Sequence, residues 1–210
     1  MINTIKLRKI LGWLGLLLPW ISAALYMLFE VKSFNLPHSI SDTYYYDSCI
    51  APFMIILGSA GILLICYDGY DRHDKIICTI AGILGLCICL FPCSDLRVTN
   101  ELVGTFKLPA FISGILHYIS AISFFGLLAY NSLFLFTKSS GELTLEKKKR
   151  NIIFRICGIG MIASFILLIP LKLLGIFSAI WIIEAIALMF FGISWLTKAQ
   201  CYSWLFKDKN

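Results

Sequence analysis

The chain has 210 residues, 59% of them hydrophobic and only 14% charged, with a net charge of +6 and a mean hydropathy of +0.85. A water-soluble domain carries roughly a quarter charged residues, so these values exclude an ordinary soluble enzyme or binding module and make lipid the solvent for most of the chain. A hydrocarbon layer about 30 Å thick needs roughly 20 apolar residues per helical crossing, which leaves room for about six crossings and no separate soluble domain.

Six spans are predicted, at Ile10–Phe29, Ile50–Cys66, Ile76–Phe91, Pro109–Phe136, Ile152–Leu171 and Ser178–Thr197. None alternates like a barrel strand, and irregular backbone cannot face lipid unpaired, so each is read as a helix. The fold class is therefore all-α: a six-transmembrane-helix bundle forming a single integral membrane domain over residues 1–210. The first span passes SAA at 22–24 and runs on through LYMLF, so it is read as a retained helix and not a cleaved signal. Fourteen of the 18 basic residues fall in alternate connections and at the two ends, while Lys32, Arg97, Lys107 and Lys172 occupy the others. The positive-inside rule then puts both termini in the cytoplasm and residues 30–49 outside it. This charge pattern argues for a membrane and against nucleic acid as a partner. The connection 137–150, TKSSGELTLEKKKR, ends in four consecutive bases suited to topology and to anionic headgroups. GSAG at 58–61, the AG of 81–82 with Gly85, and GIG at 158–160 are where helices can approach closely.

Polar residues are concentrated in few places. PHSISDTYYY at 37–46 lies between the first two spans, on the side away from the basic connections. Ser39, Ser41 and Asp42 there can cap a short turn or contact a headgroup, with His38 beside them, and the tyrosines suit an interfacial belt. The turn YDGYDRHDK at 67–75 lacks the ligand spacing of a calcium loop and reads as a tight hairpin with compensated charges. The other ionisable groups of interest lie inside spans, where they are costly and face a bundle interior. His117 sits about 12 Å from its helix start and Glu184 about 9 Å, at 1.5 Å per residue. Both depths are measured from the same side, so a His117–Glu184 hydrogen bond is expected if the two helices touch. Ser113, Ser120 and Phe124 share the His117 face at helical spacing.

Of eight cysteines, Cys87 and Cys89 point about 200° apart on one helix and make poor joint ligands. Cys49 and Cys93 flank the second and third spans on the same face; they are candidates for a disulfide, or two small half-buried thiols.

The motifs P-x-S-I-S-D-T at 37–43, H-Y-x-S-A-x-x-F-F at 117–125 and a glutamate in the sixth span together resemble the DRAM family, which includes a eukaryotic protein of GPI-anchor lipid remodelling. The resemblance implies that Pro37, Ser39, Ile40, Ser41, Asp42 and Thr43 form the family's outer loop. It also implies that His117, Ala121 and Phe124 are its fourth-helix signature and Glu184 its acidic position. Tyr44 and Ser120 stand where those relatives carry glycine, and RICGIG and FGISWLTK are more similar to uncharacterised bacterial membrane proteins, implying a bacterial inner membrane.

Three functions remain open on these residues. The first is recognition or handling of an outer-leaflet lipid in a pocket under the 37–46 loop, with His38, Ser39, Ser41, Asp42, Ser113 and Ser120 as ligand-binding candidates. The second is a membrane hydrolase or acyltransferase using His117, Glu184 and Asp42 as acid and base. Zinc is the cofactor it would take, with His38, His117 and Asp42 as candidate ligands. The third is a scaffold that forms homo-oligomers through the small-residue seams. A transport path is disfavoured, because the intramembrane ionisable groups cluster near one face.

Overall fold

The computed structural model describes residues 3–94, 101–139, 141–142 and 144–201. Six long helices carry the fold: α1 (Thr4–Leu25), α2 (Asp47–Ile65), α3 (Arg72–Leu90), α4 (Ala110–Tyr130), α5 (Leu145–Leu173) and α6 (Ala179–Lys198). α1 and α4 are each extended by a π-helical turn, at Tyr26–Glu30 and Asn131–Leu135, and a small antiparallel hairpin, β1 (Leu102–Val103) with β2 (Leu108–Pro109), precedes α4. All six helices are long and apolar enough to cross a membrane. Trp13, Trp20, Phe29, Phe111, Ile122 and Ile166 are exposed on their outer faces, far more apolar surface than a soluble monomer presents. The chain is accordingly a polytopic membrane protein.

Four helices begin earlier than their apolar runs, α1 and α5 by the most. Asn3 caps α1 by accepting the N–H groups of Ile5 and Lys6 at 3.0 and 3.2 Å, and Thr144 caps α5 by accepting from Lys147 at 3.2 Å. Hydropathy locates the part of a helix in oil, whereas a cap locates where the backbone begins to wind. The basic segments 6–9 and 147–150 are therefore helical turns and not loops.

Each helix packs against its neighbours in chain order, and α6 closes the ring against α1 and α5. α6 is the most enclosed, with 61% of its most apolar stretch inside the protein against 28–44% for the other five. The tight seams are glycine seams. A Cβ on Gly82 would lie 2.4 Å from the Gly61 carbonyl oxygen, and one on Gly192 2.7 Å from that of Gly12. Of the seams read from sequence, Gly61, Gly82 and Gly158 are confirmed as close contacts, whereas Gly58 meets nothing within 4 Å. The α1–α6 seam at Gly12 and Gly192 was not singled out.

The described ends of the chain meet at one end of the bundle, where Arg8 Nη1 donates to the Lys198 carbonyl at 3.4 Å. At this basic end the 67–75 turn is charge-compensated as expected. Lys75 pairs with Asp68 at 2.8 Å, and Lys138 bridges Asp71 and Asp74 at 2.7 and 2.6 Å. The Lys138 ammonium and the Asp74 backbone N–H hold the Asp71 carboxyl down at about 2, so this clip stays ionised at any physiological pH.

Replacing Gly82 or Gly192 by leucine forces backbones apart and should cost about 1–3 kcal/mol, read as a lowered melting temperature in detergent. The same change at Gly58, which faces open space, should leave the melting temperature unchanged.

Candidate functional site

The end opposite the basic residues is organised by the segment after Pro37. A proline disfavours helix at the residue before it, so the chain enters extended and passes across the start of α6. There Ser178 Oγ donates to the Leu36 carbonyl at 3.2 Å, and the Trp181 backbone N–H donates to the His38 carbonyl at 3.1 Å. The first-turn N–H groups of a helix have no partner within it, and the loop supplies one. The next residues fold into a single 3-10 turn, Ser41–Tyr45. Ser39 caps it, its Oγ accepting the Asp42 N–H at 2.8 Å, and Thr43 Oγ1 donates to the Ile40 carbonyl. Tyr45 ties the turn to the far side of the bundle by donating to the Cys93 carbonyl at 2.6 Å.

Glu184 holds this loop from below. Its Oε2 accepts the Ile40 N–H at 2.6 Å, and its Oε1 lies 3.5 Å from Ser41 Oγ. The rest of the carboxylate faces a hollow of about 30 Å³ lined largely by apolar side chains, among them Phe53, Ile88, Phe124 and Leu188. A space of that size holds about one water, so the carboxylate serves the loop and offers no ligand-sized chamber.

The expected His117–Glu184 hydrogen bond is not formed. His117 Nδ1 lies 2.8 Å from the Phe91 carbonyl oxygen; because a carbonyl only accepts, Nδ1 carries the proton and donates. Ser113, one turn earlier on the same face, donates through Oγ to the Pro92 carbonyl at 2.8 Å. Together they satisfy carbonyls at the C-terminal end of α3, where helical backbone lacks intrahelical donors. The physical reason is the ring: α5 packs between α4 and α6, and those two helices touch only marginally. The shared face read from sequence is real, since Ser113, His117, Ser120 and Phe124 are all buried, but it looks toward α3.

The zinc arrangement is likewise not assembled. Among the described residues no three His, Cys, Asp or Glu side chains come together, and His117, one candidate ligand, has its Nδ1 committed to backbone. Cys49 and Cys93 are not joined by a disulfide. Cys49 Sγ lies 3.9 Å from the Ser22 carbonyl and 3.6 Å from Ser48 Oγ, turned toward α1 and its own helix start. The small-residue seams that a scaffold would use between copies are largely spent inside the chain, Gly58 and Gly126 being open.

A cavity of about 520 Å³ does lie at the 37–46 loop, lined by His38, Asp42, Tyr46 and Ser94 and, from the end of α5 and the start of α6, by Lys172, Gly175, Ile176, Phe177 and Ile180. Its second wall depends on how α5 stops. Gly175 adopts φ +70, the Gly175 and Ile176 N–H groups donate back to the Lys172 and Leu171 carbonyls at 3.0 and 3.2 Å, and the chain reverses in a Schellman turn. Phe177 is thereby carried over the cavity to meet the His38 ring at 5.4 Å. Lys172, in the last turn of α5, has no hydrogen-bonded or ion-paired side-chain partner among the described residues and favours an anion. Of the ligand candidates read from sequence, His38 and Asp42 line this cavity, whereas Ser39, Ser41, Ser113 and Ser120 do not. Lys172, Ser94, Tyr46 and Phe177 were missed. Lys172 carried a signal, being one of four basic residues on the sparsely charged side. Tyr118 was missed also, its hydroxyl accepting from Ser94 Oγ at 3.3 Å. Compared with known proteins, the chain matches no family model, no curated sequence and no solved structure.

Two predictions separate architecture from binding. Glu184→Ala leaves the Ile40 N–H unsatisfied and should cost about 1–3 kcal/mol. Hydrogen exchange should accelerate across 36–46 in that variant, with partial rescue by Glu184→Gln, which keeps an acceptor. His117→Asn places an N–H donor near the position of Nδ1 and should melt close to the parent, whereas His117→Ala should melt several degrees lower.

Proposed function

We propose that this membrane protein recognises a phospholipid headgroup in the cavity beneath the 37–46 loop. The single observation that carries the reading is the lining of that cavity: a lysine with no partner among the described residues and a histidine, together with Asp42, Tyr46, Ser94 and the apolar side chains of Ile176, Phe177 and Ile180, at one end of the bundle. Its volume of about 520 Å³ lies within the range of small-molecule sites. The chemistry is divided as a lipid requires. Lys172 presents an ammonium and His38 an imidazole to a phosphate, while Ile176, Phe177 and Ile180 give the glycerol and first methylenes an apolar wall. Asp42 and Tyr46 close the opposite side. The likeness of the loop to that of the DRAM family, with its lipid-remodelling member, supports the same class of ligand. By the positive-inside reading this cavity opens to the outer leaflet, and the likeness of RICGIG and FGISWLTK to bacterial membrane proteins makes that membrane a bacterial inner membrane. His117 and Glu184 serve the site indirectly, by fixing the end of α3 and the loop.

The test is lipid retention. The chain purified in mild detergent should carry phospholipid detectable by native mass spectrometry, and Lys172→Gln should lower occupancy at least fivefold with no change in melting temperature of the delipidated protein. A combined His38→Ala and Lys172→Gln variant that keeps its lipid would overturn the reading.

A further inference from the structure

Beside the charge-compensated 67–75 turn, the basic end of the bundle holds a second group of cations, Arg8, Lys147 and Lys198, with no carboxylate partner among the described residues. Lys198 Nζ lies 4.9 Å from the ring centre of Phe136 and 6.0 Å from that of Phe154, and Lys147 Nζ lies 5.5 Å from the same Phe154 ring. Arg8 stacks over Tyr67 at 5.5 Å, reaches the Lys198 carbonyl with Nη1, and keeps a buried Nε with no hydrogen-bond partner. Among the described residues Arg150 pairs with Glu146 alone, at 3.9 Å.

Among the described residues no carboxylate pairs with Lys147, Lys198 or Arg8. Asp74, the carboxylate whose charge acts on Lys198, is already held by Lys138 at 2.6 Å. Topology alone does not require this arrangement. Lys148 and Lys149 on the same run are exposed to solvent, as a positive-inside signal needs, whereas Lys147 and Lys198 are drawn inward onto aromatic rings. Like charges gathered against apolar rings raise one another's cost unless an anion sits among them.

We propose that Arg8, Lys147, Lys198 and Arg150 form a binding site for one phosphate group at the basic end of the bundle. The Phe136 and Phe154 rings position the two ammoniums and exclude water from one side of the anion. Lys147 uses one N–H on the Phe136 carbonyl at 2.7 Å and has two more to give; the guanidinium of Arg8 adds directed donors. The phosphate can belong to an anionic lipid of the nearer leaflet or be free in solution, and the experiment separates these sources. The site is remote from the Lys172 cavity and does not depend on its function.

The full chain is reconstituted in phosphatidylcholine nanodiscs doped with phosphatidylglycerol, and retained phosphatidylglycerol is counted by native mass spectrometry. In parallel, inorganic phosphate is titrated against tryptophan fluorescence, since Trp195 packs edge-on against Phe136 at 5.0 Å. One probe should saturate at one per chain. Lys147→Met and Lys198→Met should each weaken it at least tenfold, while Lys148→Gln leaves it unchanged; phospholipid lost with Lys172→Gln belongs to the cavity at the other end and is counted separately. Retention of phosphatidylglycerol without response to inorganic phosphate assigns a lipid headgroup; saturation by inorganic phosphate assigns a free anion. Saturation by neither probe, or equal weakening by Lys148→Gln and Lys198→Met, overturns the proposal. If the methionine variants do not purify as a single species, Arg150→Gln takes their place: weakened binding supports the site, and unchanged binding overturns it.

Discussion

The hydrogen bond from the Ile40 backbone N–H to the Glu184 carboxylate is the constraint on which the cavity end of this protein depends. A carboxylate inside a lipid-embedded bundle is tolerated only with partners, and a loop crossing the end of a bundle must satisfy its own backbone. Each solves the other's problem. Glu184 gains a donor it would otherwise lack, and the segment after Pro37 is pinned where its carbonyl can in turn receive the Trp181 N–H of α6. Loop and helix start are thus stitched in both directions, and the 3-10 turn carrying Asp42 is held as one wall of the cavity.

The two ends of the bundle are built by different chemistry. At the cavity end, polar side chains are used on backbone: Glu184 on Ile40, His117 on Phe91, Ser113 on Pro92 and Tyr45 on Cys93. These bonds consume donors and acceptors and leave few side chains for a ligand, which makes Lys172, uncommitted among the described residues, stand out. At the basic end, aromatic rings clustered on Trp195 carry cations that meet no carboxylate among the described residues. A phosphate-bearing ligand at each end, bound by quite different surroundings, is the reading that unites them.

Much of the architecture was legible in the sequence alone. Six apolar runs, separated by connections whose charge alternates, define the number of helices and their parity, because a bilayer penalises any other arrangement. The capping role of Ser39 followed from local chemistry, and the buried face of His117 from helical spacing. What could not be read was which face meets which. His117 and Glu184 have matching depth, but depth is a one-dimensional quantity, and the angular order of helices around the ring decides contact. Here α5 intervenes between α4 and α6, so two groups at equal depth find different partners. A pocket under the 37–46 loop was expected from the sequence, but its second wall was not. It depends on Gly175 reversing the chain and on the reach of Lys172, which a reading centred on intramembrane charges passes over. Glu30, which accepts from the Ser48 backbone at 3.0 Å and from its hydroxyl to secure the start of α2, was hidden in the same way, as an acidic residue at a span's edge with a partner 18 positions on.

The proposed entry of a lipid into the space beneath the 37–46 loop would give that loop, its glutamate anchor and the α5 reversal a common purpose. The most direct measurement is photo-crosslinking in native membranes with a phospholipid carrying its photoactivatable group at the headgroup, followed by mapping of the labelled peptides. Labelling concentrated on residues 38–46 and 172–180 is the predicted result. Labelling spread along the exposed faces of the helices, with those two segments spared, would contradict it.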